Sequence, residues 1–130
     1  MSREVLQPPG WSRPRGYANG IAAEGRQVYV SGQIGWDAEQ RFVSDDFAAQ
    51  ARQAFHNIVD VLACAGAGPQ HIVRLTWYVT SREEYLGSLP ALGASYREIF
   101  GRNYPAMSVV VVAGLLEARA KVEIEATAVV

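Results

Sequence analysis

The segment at residues 107–114 limits the fold most, because it is apolar on both sides of a predicted strand. Its two faces would carry Met107, Val109, Val111 and Ala113 on one side, and Val110 and Val112 on the other. A strand of this kind is typical of a sheet that is covered on both faces. The rest of the chain must therefore supply two covering layers, or a partner must supply one.

Hydrophobic periodicity predicts two helices and five strands. In chain order these are strands at 17–23 and 27–34, a helix at 46–65, a strand at 72–80, a helix at about 90–101, and strands at 107–114 and 120–129. The first two strands are predicted to pair as a hairpin around Glu24 and Gly25. Ser44 or Asp45 is predicted to cap the first helix, which Gly66 ends. The order ββ-α-β-α-ββ indicates an α+β domain with two helices on one face of a mixed sheet.

The 130 residues fit a single domain, because single cores usually contain about 100–200 residues. Residues 1–16 contain several prolines and glycines, which disfavour a helix or a central strand. We therefore predict that residues 1–16 form an irregular N-terminal arm.

The predicted helices leave one face of the sheet uncovered, and self-association is the simplest way to cover it. Charged residues make up 19% of the chain, below the roughly 25% of typical soluble domains, which favours surface hidden against sister chains. The alternative is a monomer in which the arm folds back over the strand at 107–114.

Charge and composition exclude several classes of protein. The 12 basic and 13 acidic residues give a net charge of −1, which argues against a nucleic-acid partner. The longest apolar stretch, Val109 to Leu116, is far shorter than the ~20 residues of a membrane helix, and the polar N-terminus lacks a signal-peptide core. We expect a cytoplasmic protein that does not enter membranes. Cys64 is the only cysteine and is predicted to be a packing residue near the helix end.

The common catalytic and metal motifs are missing from the sequence. It contains no phosphate-binding loop, and neither His56 nor His71 has a second ligand at a metal-like spacing. The strand at 120–129 carries two carboxylates, Glu123 and Glu125, on one face. They belong either to a solvated strand face or, if another subunit covers that face, to a site where burial raises a carboxyl pKa toward acid–base usefulness.

Five segments resemble a known family when they are read together. They are SGQIG at 31–35, AAQARQAFHNIVDVLACAGA in the first helix, HIVRLTWYVT in the strand that follows, YPAMS at 104–108 and VEIEATAV near the end. This combination, over about residues 15–130, is similar to the RidA family, also called YjgF or L-PSP. The resemblance implies a chorismate-mutase-like fold, a homotrimer with a barrel-like centre, and clefts for a small-molecule ligand between neighbouring subunits.

The resemblance also implies an activity and a set of site residues. Members hydrolyse enamines and imines to carbonyl compounds and ammonia without a cofactor, and a glutamate positions or activates the water. Matched by motif, the cleft would contain Tyr17, Ser31, Gly32, Ala106, Met107 and Glu123. Tyr85 falls near an aromatic position of the family. No metal or other cofactor is expected.

Two departures from the family pattern concern how a substrate would be bound. The arginine that normally follows proline and alanine is Met107 here, and an asparagine on the second helix falls at Gly93. Either another cation reaches the cleft, with Arg13, Arg15 and Arg102 as candidates, or the ligand is neutral or bulkier and contacts Met107, Trp36 and Trp77. The second explanation is slightly favoured. For Trp77 a core position on the buried strand face is the preferred interpretation, whereas for Trp36 core and cleft are equally favoured.

Three functions therefore remain as hypotheses. The first is an enamine or imine hydrolase whose specificity is altered by the loss of the carboxylate-binding arginine. The second is a ligand-binding or chaperone-like trimer without catalysis. The third follows the family's older label as an endoribonuclease that inhibits translation, and the near-neutral charge argues against it.

Overall fold

The computed structural model describes residues 2–130, which contain six strands, three α-helices and a short 3-10 helix at Pro69–His71. The strands are β1 (Ser2–Leu6), β2 (Gly20–Glu24), β3 (Gln27–Gln33), β4 (Ile72–Val79), β5 (Ala106–Val111) and β6 (Val122–Val129). The helices are α1 (Phe47–Ala63), α2 (Arg82–Gly87) and α3 (Leu89–Phe100). The expected fold class is confirmed, because two main helices pack on one face of a mixed sheet.

The main sheet has four strands in the order β3-β6-β4-β5. β4 pairs with β5 in parallel, and the other neighbours are antiparallel. In the central pair β4–β6, Trp77 lies opposite Ile124 and Tyr78 lies opposite Glu123. This register determines which side chains of the two strands share a face of the sheet. Side chains of one strand alternate between faces, so Trp77 faces the helices and Tyr78 faces away from them.

The predicted hairpin between the first two strands is wrong. β2 pairs with β1 in a separate two-stranded sheet, whereas β3 pairs with β6 in the main sheet. The backbone of Arg26 exchanges two hydrogen bonds of 2.8 Å with Val130, which begins the β3–β6 pairing immediately after Gly25. Sequence proximity favours a hairpin, but this pairing with the C-terminal strand competes with it successfully.

Three local predictions also need correction. Residues 2–6 precede the prolines and glycines of the arm and form β1, so only the rest of the arm is irregular. The α1 cap is Asp46, whose carboxylate accepts from Ala49 N, while Ser44 Oγ accepts from Asp46 N. Cys64 is exposed rather than packed, since it lies at the C-cap of α1, beyond its last buried turn.

The core lies between the helices and one face of the sheet. Phe55 of α1 is its centre, and its ring packs against Trp77, Tyr96 and Phe100 with centroid separations of 4.9–5.8 Å. β6 contributes its alternate small and branched residues, which are Val122, Ile124, Ala126 and Ala128. The buried residues of α1 and β4 recur at the helix and strand spacings from which these elements are predicted.

The opposite face of the sheet has no helix on it. It carries polar side chains from β4 and β6, among them Tyr78, Glu123 and Glu125, which are half-buried. On this face Val110, which lies beside Tyr78, and Tyr29 are exposed by 42% and 71% of their surface. Ala18, which follows the arm, forms a bridge with Ala106 at the start of β5, and Val110 farther along stays exposed, so the arm does not cover this face of β5.

Candidate functional site

The first feature of the site is a cavity of about 550 Å³ between α3 and the helix-facing side of β5. Met107 and Val109 of β5 form its floor beside Trp77 of β4. Residues of the helical layer and the arm complete the wall: Arg15, Gly16, Tyr17, Tyr85, Leu89, Leu92, Gly93, Tyr96, Arg97 and Tyr104. The volume and the aromatic lining are those of a small-molecule site.

Two tyrosines of the wall are held in the protonated form. Burial raises the pKa of Tyr85, and it raises the pKa of Tyr96 further. Tyr96 also donates its hydroxyl to the carbonyl of Asn103 and stacks on Tyr104 at 5.5 Å. These phenols therefore act as apolar and hydrogen-bonding walls rather than as proton acceptors at neutral pH.

Trp77 belongs to both the core and the cavity wall. Only 3% of its surface is exposed, and its indole packs edge-on against Phe55 and Tyr85. Among residues 2–130 its Nε1 is a buried side-chain donor that has no hydrogen-bond partner. Trp77 is therefore a core residue, and part of its side chain also lines the cavity.

The cavity contains cations but no base. Arg15 and Arg97 line it, and none of its lining residues, all within the described part of the chain, is Asp, Glu, His or Lys. An imine or ester bound there would meet no side chain able to activate water near neutral pH. Hydrolytic chemistry in this cavity needs a carboxylate from elsewhere.

The second feature is Glu123, which lies on the helix-free face against the backbone of Gly32. A Cβ built on Gly32 would collide with the carboxyl group of Glu123, so only glycine leaves room for it. The β3–β6 register shifts between Val30 and Gln33, which makes Ser31 and Gly32 an irregularity in the strand. Gly32 thus holds the carboxylate close to the main chain of β3.

Met107 and Glu123 lie on opposite faces of the same sheet. Met107 is beside Leu75, which faces the helices, and Glu123 is beside Tyr78, which faces away. The two positions are also three residues apart along β4, about 10 Å at the usual rise per residue. One copy of the chain therefore cannot bring the carboxylate into its own cavity.

Glu125 has a different environment from Glu123. Its carboxylate accepts a 2.8 Å hydrogen bond from the Tyr78 hydroxyl, and this bond, with burial and the nearby negative charges, raises the pKa of Tyr78. Glu125 also lines a shallow recess with Ser31 and Arg74. Of the two carboxylates, Glu123 is the one that lies against Gly32 of the SGQIG segment.

The residues predicted for the cleft fall into three groups. Tyr17, Tyr85 and Met107 line the cavity, and Ser31, Gly32 and Glu123 cluster around the helix-free face. Ala106 forms the bridge with Ala18 at the start of β5, and Trp36 packs on Phe42 at 5.8 Å, away from the cavity lining.

The cation candidates are also distributed. Arg15 lines the cavity, whereas Arg13 and Arg102 line an adjoining recess of about 540 Å³ that shares Tyr17 and Tyr104 with it. Sequence reasoning missed Arg97, although its position four residues after Gly93 puts both on one helix face. That spacing places Arg97 beside a cleft position but does not by itself distinguish it from other arginines on the surface of the helix.

Within residues 2–130 no three or more His, Cys, Asp and Glu side chains are arranged to hold a metal ion. His71 instead accepts a hydrogen bond from Gly68 N at Nδ1. No helix in the described part of the chain is long and apolar enough to cross a membrane.

Comparison with known proteins gives consistent matches over most of the chain. The sequence profile of the family described as Endoribonuclease L-PSP matches residues 12–130. The 2-iminobutanoate/2-iminopropanoate deaminase of Salmonella typhimurium is 35% identical over 116 residues, 87% of this chain and 86% of the relative. The human protein of the same name is 31% identical over 126 residues, 96% of this chain and 86% of the relative.

Solved structures show the same similarity. YyfB from Yersinia pestis, a protein of unknown function in the conserved Rid family, has a TM-score of 0.87 and 32% identity, with all of both chains covered. RidA from an Antarctic Psychrobacter has a TM-score of 0.70 and 28% identity over 98% of this chain and 99% of that one.

Proposed function

Because the chain belongs to the L-PSP family, also known as RidA or YjgF, we propose that it hydrolyses an enamine or imine to a carbonyl compound and ammonia. Relatives that are 30–35% identical carry the name 2-iminobutanoate/2-iminopropanoate deaminase, which supports this reaction class. The substrate binds in the cavity between α3 and β5, and Glu123 is the catalytic carboxylate.

One observation carries the proposal: the cavity has binding groups but no base, while a carboxylate is held on the opposite face of the sheet. Neither half is sufficient for hydrolysis. The two halves form one site when the helix-free face of one copy covers the cavity of its neighbour. Each cleft then contains Tyr17, Tyr85 and Met107 of one copy and Ser31, Gly32 and Glu123 of the next.

A homotrimer with three such clefts is the assembly that we propose. Support comes from the helix-free face, which leaves Tyr29 and Val110 exposed in a single copy. A head-to-tail contact closes into a ring when the rotation between copies allows it, and it then yields identical clefts. Association would also enclose Glu123 within the cleft, where it can hold a water molecule against the bound substrate.

The reaction needs only water and proton transfer. The imine reacts as its N-protonated iminium form. Glu123 accepts a proton as water adds to the iminium carbon, which gives a neutral tetrahedral carbinolamine. Glu123 returns this proton to the amine nitrogen. As the C–N bond breaks and the C=O bond forms, Glu123 takes the hydroxyl proton and passes it to the departing ammonia. The products are a carbonyl compound and an ammonium ion, and Glu123 is again a carboxylate. An enamine substrate first takes a proton at carbon to become the imine.

Met107 gives this cleft a different specificity from a site with arginine at that position. An apolar thioether cannot form the bidentate contact that a guanidinium makes with a carboxylate. It instead packs against an apolar part of the substrate, together with Val109.

The test is ammonia release from 2-iminobutanoate and from bulkier imines generated in the assay by an amino-acid oxidase. We expect the purified protein to accelerate release of ammonia from at least one of them above the rate in buffer. A protein that accelerates none, but is thermally stabilised by their carbonyl products, would be a binding protein, and the hydrolase proposal would be wrong. RNA cleavage that co-purifies with the trimer would instead support the endoribonuclease function.

A further inference from the structure

The guanidinium of Arg97 lies back along α3 toward the cavity. A Cβ built on Gly93 would be 3.4 Å from Arg97 Nη1 and 4.0 Å from its Cζ. Gly93 and Arg97 are one helical turn apart, so the side chain folds over the glycine and not toward the end of the helix. Both residues line the cavity.

The Arg97 side chain leans toward the N-terminus of the helix, as helical side chains usually do, so its guanidinium lies over Gly93 and away from the helix end. A basic residue in the last turn usually interacts with the free carbonyl groups at the C-terminus, here around Phe100. Arg97 points one turn the other way. Glycine inside a helix costs about 1 kcal/mol relative to alanine, so the open space at position 93 is itself a feature to explain.

Arg97 has no charged partner within residues 2–130, in contrast to Arg52. Arg52 forms two hydrogen bonds of 2.6 and 3.0 Å with Glu98, the residue that follows Arg97 in α3. The guanidinium of Arg97 takes part in none of the ion pairs or side-chain hydrogen bonds of the described chain, and the same is true of Arg15. Two unpaired cations from separate segments thus line one aromatic cavity.

We infer that Arg97 and Arg15 bind the anionic group of the ligand, in place of a cation at position 107. This inference rests on the proposed function, because it takes the cavity to be the substrate cavity. Planar guanidinium groups suit a carboxylate, and the aromatic wall suits the rest of such a molecule.

The size of the cavity specifies the ligand further. Its volume of about 550 Å³ lies within the range of drug-sized sites and is several times that of a four-carbon imino acid. Leu89, Leu92, Val109 and Met107 give the lining an apolar part that suits a larger apolar group. The ligand class is therefore a carboxylate with a bulky apolar body, such as a 2-imino acid with an aromatic or branched side chain.

Calorimetric titration with stable probes tests this inference independently of turnover. The probes are 3-phenylpropanoate, its neutral amide 3-phenylpropanamide, and butanoate. We expect the aromatic carboxylate to bind at least about tenfold more tightly than the amide and than butanoate. Arg97→Gln and Arg15→Gln should each weaken binding of the carboxylate about tenfold or more and leave binding of the amide unchanged.

Arg82→Gln is the matched control, because Arg82 is an exposed arginine on α2 and does not line the cavity. It removes the same charge and should leave all three affinities unchanged. Equal binding of the carboxylate and the amide, or equal losses in Arg97→Gln and Arg82→Gln, would overturn the inference. If the carboxylate binds as expected but no imine is hydrolysed, the anion site stands and the proposed function fails. If imines are hydrolysed but Arg97→Gln and Arg15→Gln do not affect hydrolysis, the proposed function stands and the anion site fails.

Discussion

Glu123→Gln is expected to lower kcat for imine hydrolysis by about 10²–10⁴-fold, the usual loss when a positioned general base is removed. The amide has nearly the shape of the carboxylate, so it keeps the close approach to Gly32 that the Glu123 side chain makes. It cannot accept a proton from water. The measurement is the steady-state rate of ammonia release with the substrate that the wild-type protein hydrolyses fastest.

Glu125→Gln serves as the control for this variant. It removes the same charge from the same face of β6, two residues away, where the carboxylate accepts a hydrogen bond from Tyr78. We expect kcat to stay within about threefold of the wild-type value, since Glu125 is not placed against the substrate cleft. Equal losses in the two variants would mean that the charge of the face matters and that Glu123 has no special role.

Gly35→Ala is expected to destabilise the fold by about 3 kcal/mol, at the upper end of the usual cost of overpacking. A Cβ on Gly35 would be 2.5 Å from Gln50 Cβ and 2.7 Å from Gln50 Cα, so it meets the helix backbone itself. Gln50 cannot give way, because it is fully buried and its amide bonds to the backbone of Ser44, Arg119 and Lys121. Urea unfolding measures the loss.

Gly32→Ala is the control for Gly35→Ala, because it is the same substitution in the same segment. Its Cβ meets the end of the Glu123 side chain, which can rotate away, and not a helix backbone. We expect a loss of stability below about 1 kcal/mol together with a large fall in kcat. Comparable unfolding free energies for the two variants would contradict the packing that we describe around Gly35.

Local pattern was sufficient to predict the elements that form the core. The 3.6-residue stripe of α1 and the strict alternation of β4 and β6 identify which face of each is buried. The partners of the strands were not predictable in the same way. β3 pairs with β6, about 100 residues away in the chain, and no local turn signal reports that pairing.

The site was only partly predictable for a related reason. Resemblance to the RidA family groups Tyr17, Met107 and Glu123, but the faces of the sheet that carry Met107 and Glu123 depend on the register with β4. Arg97 could not be distinguished by sequence from an ordinary solvated helix residue. Its role becomes visible only when the space over Gly93 and the absence of an ion-pair partner within residues 2–130 are seen together.

If each catalytic cleft is built from two copies of the chain, two inactive variants with defects in different halves of the cleft should restore activity to each other by subunit complementation. One parent is Glu123→Gln, which keeps an intact cavity. The other is Gly93→Phe, whose added ring would fill the cavity over which Arg97 lies while leaving Glu123 unchanged. Each parent alone should be nearly inactive.

The two parents are unfolded together, refolded as a 1:1 mixture and assayed for ammonia release. Random assembly pairs an intact cavity with an intact Glu123 of the neighbouring copy in about a quarter of the clefts, so about a quarter of wild-type activity should return. A mixture that stays as inactive as its parents, although sedimentation shows that mixed trimers have formed, would contradict a cleft built from two copies of the chain.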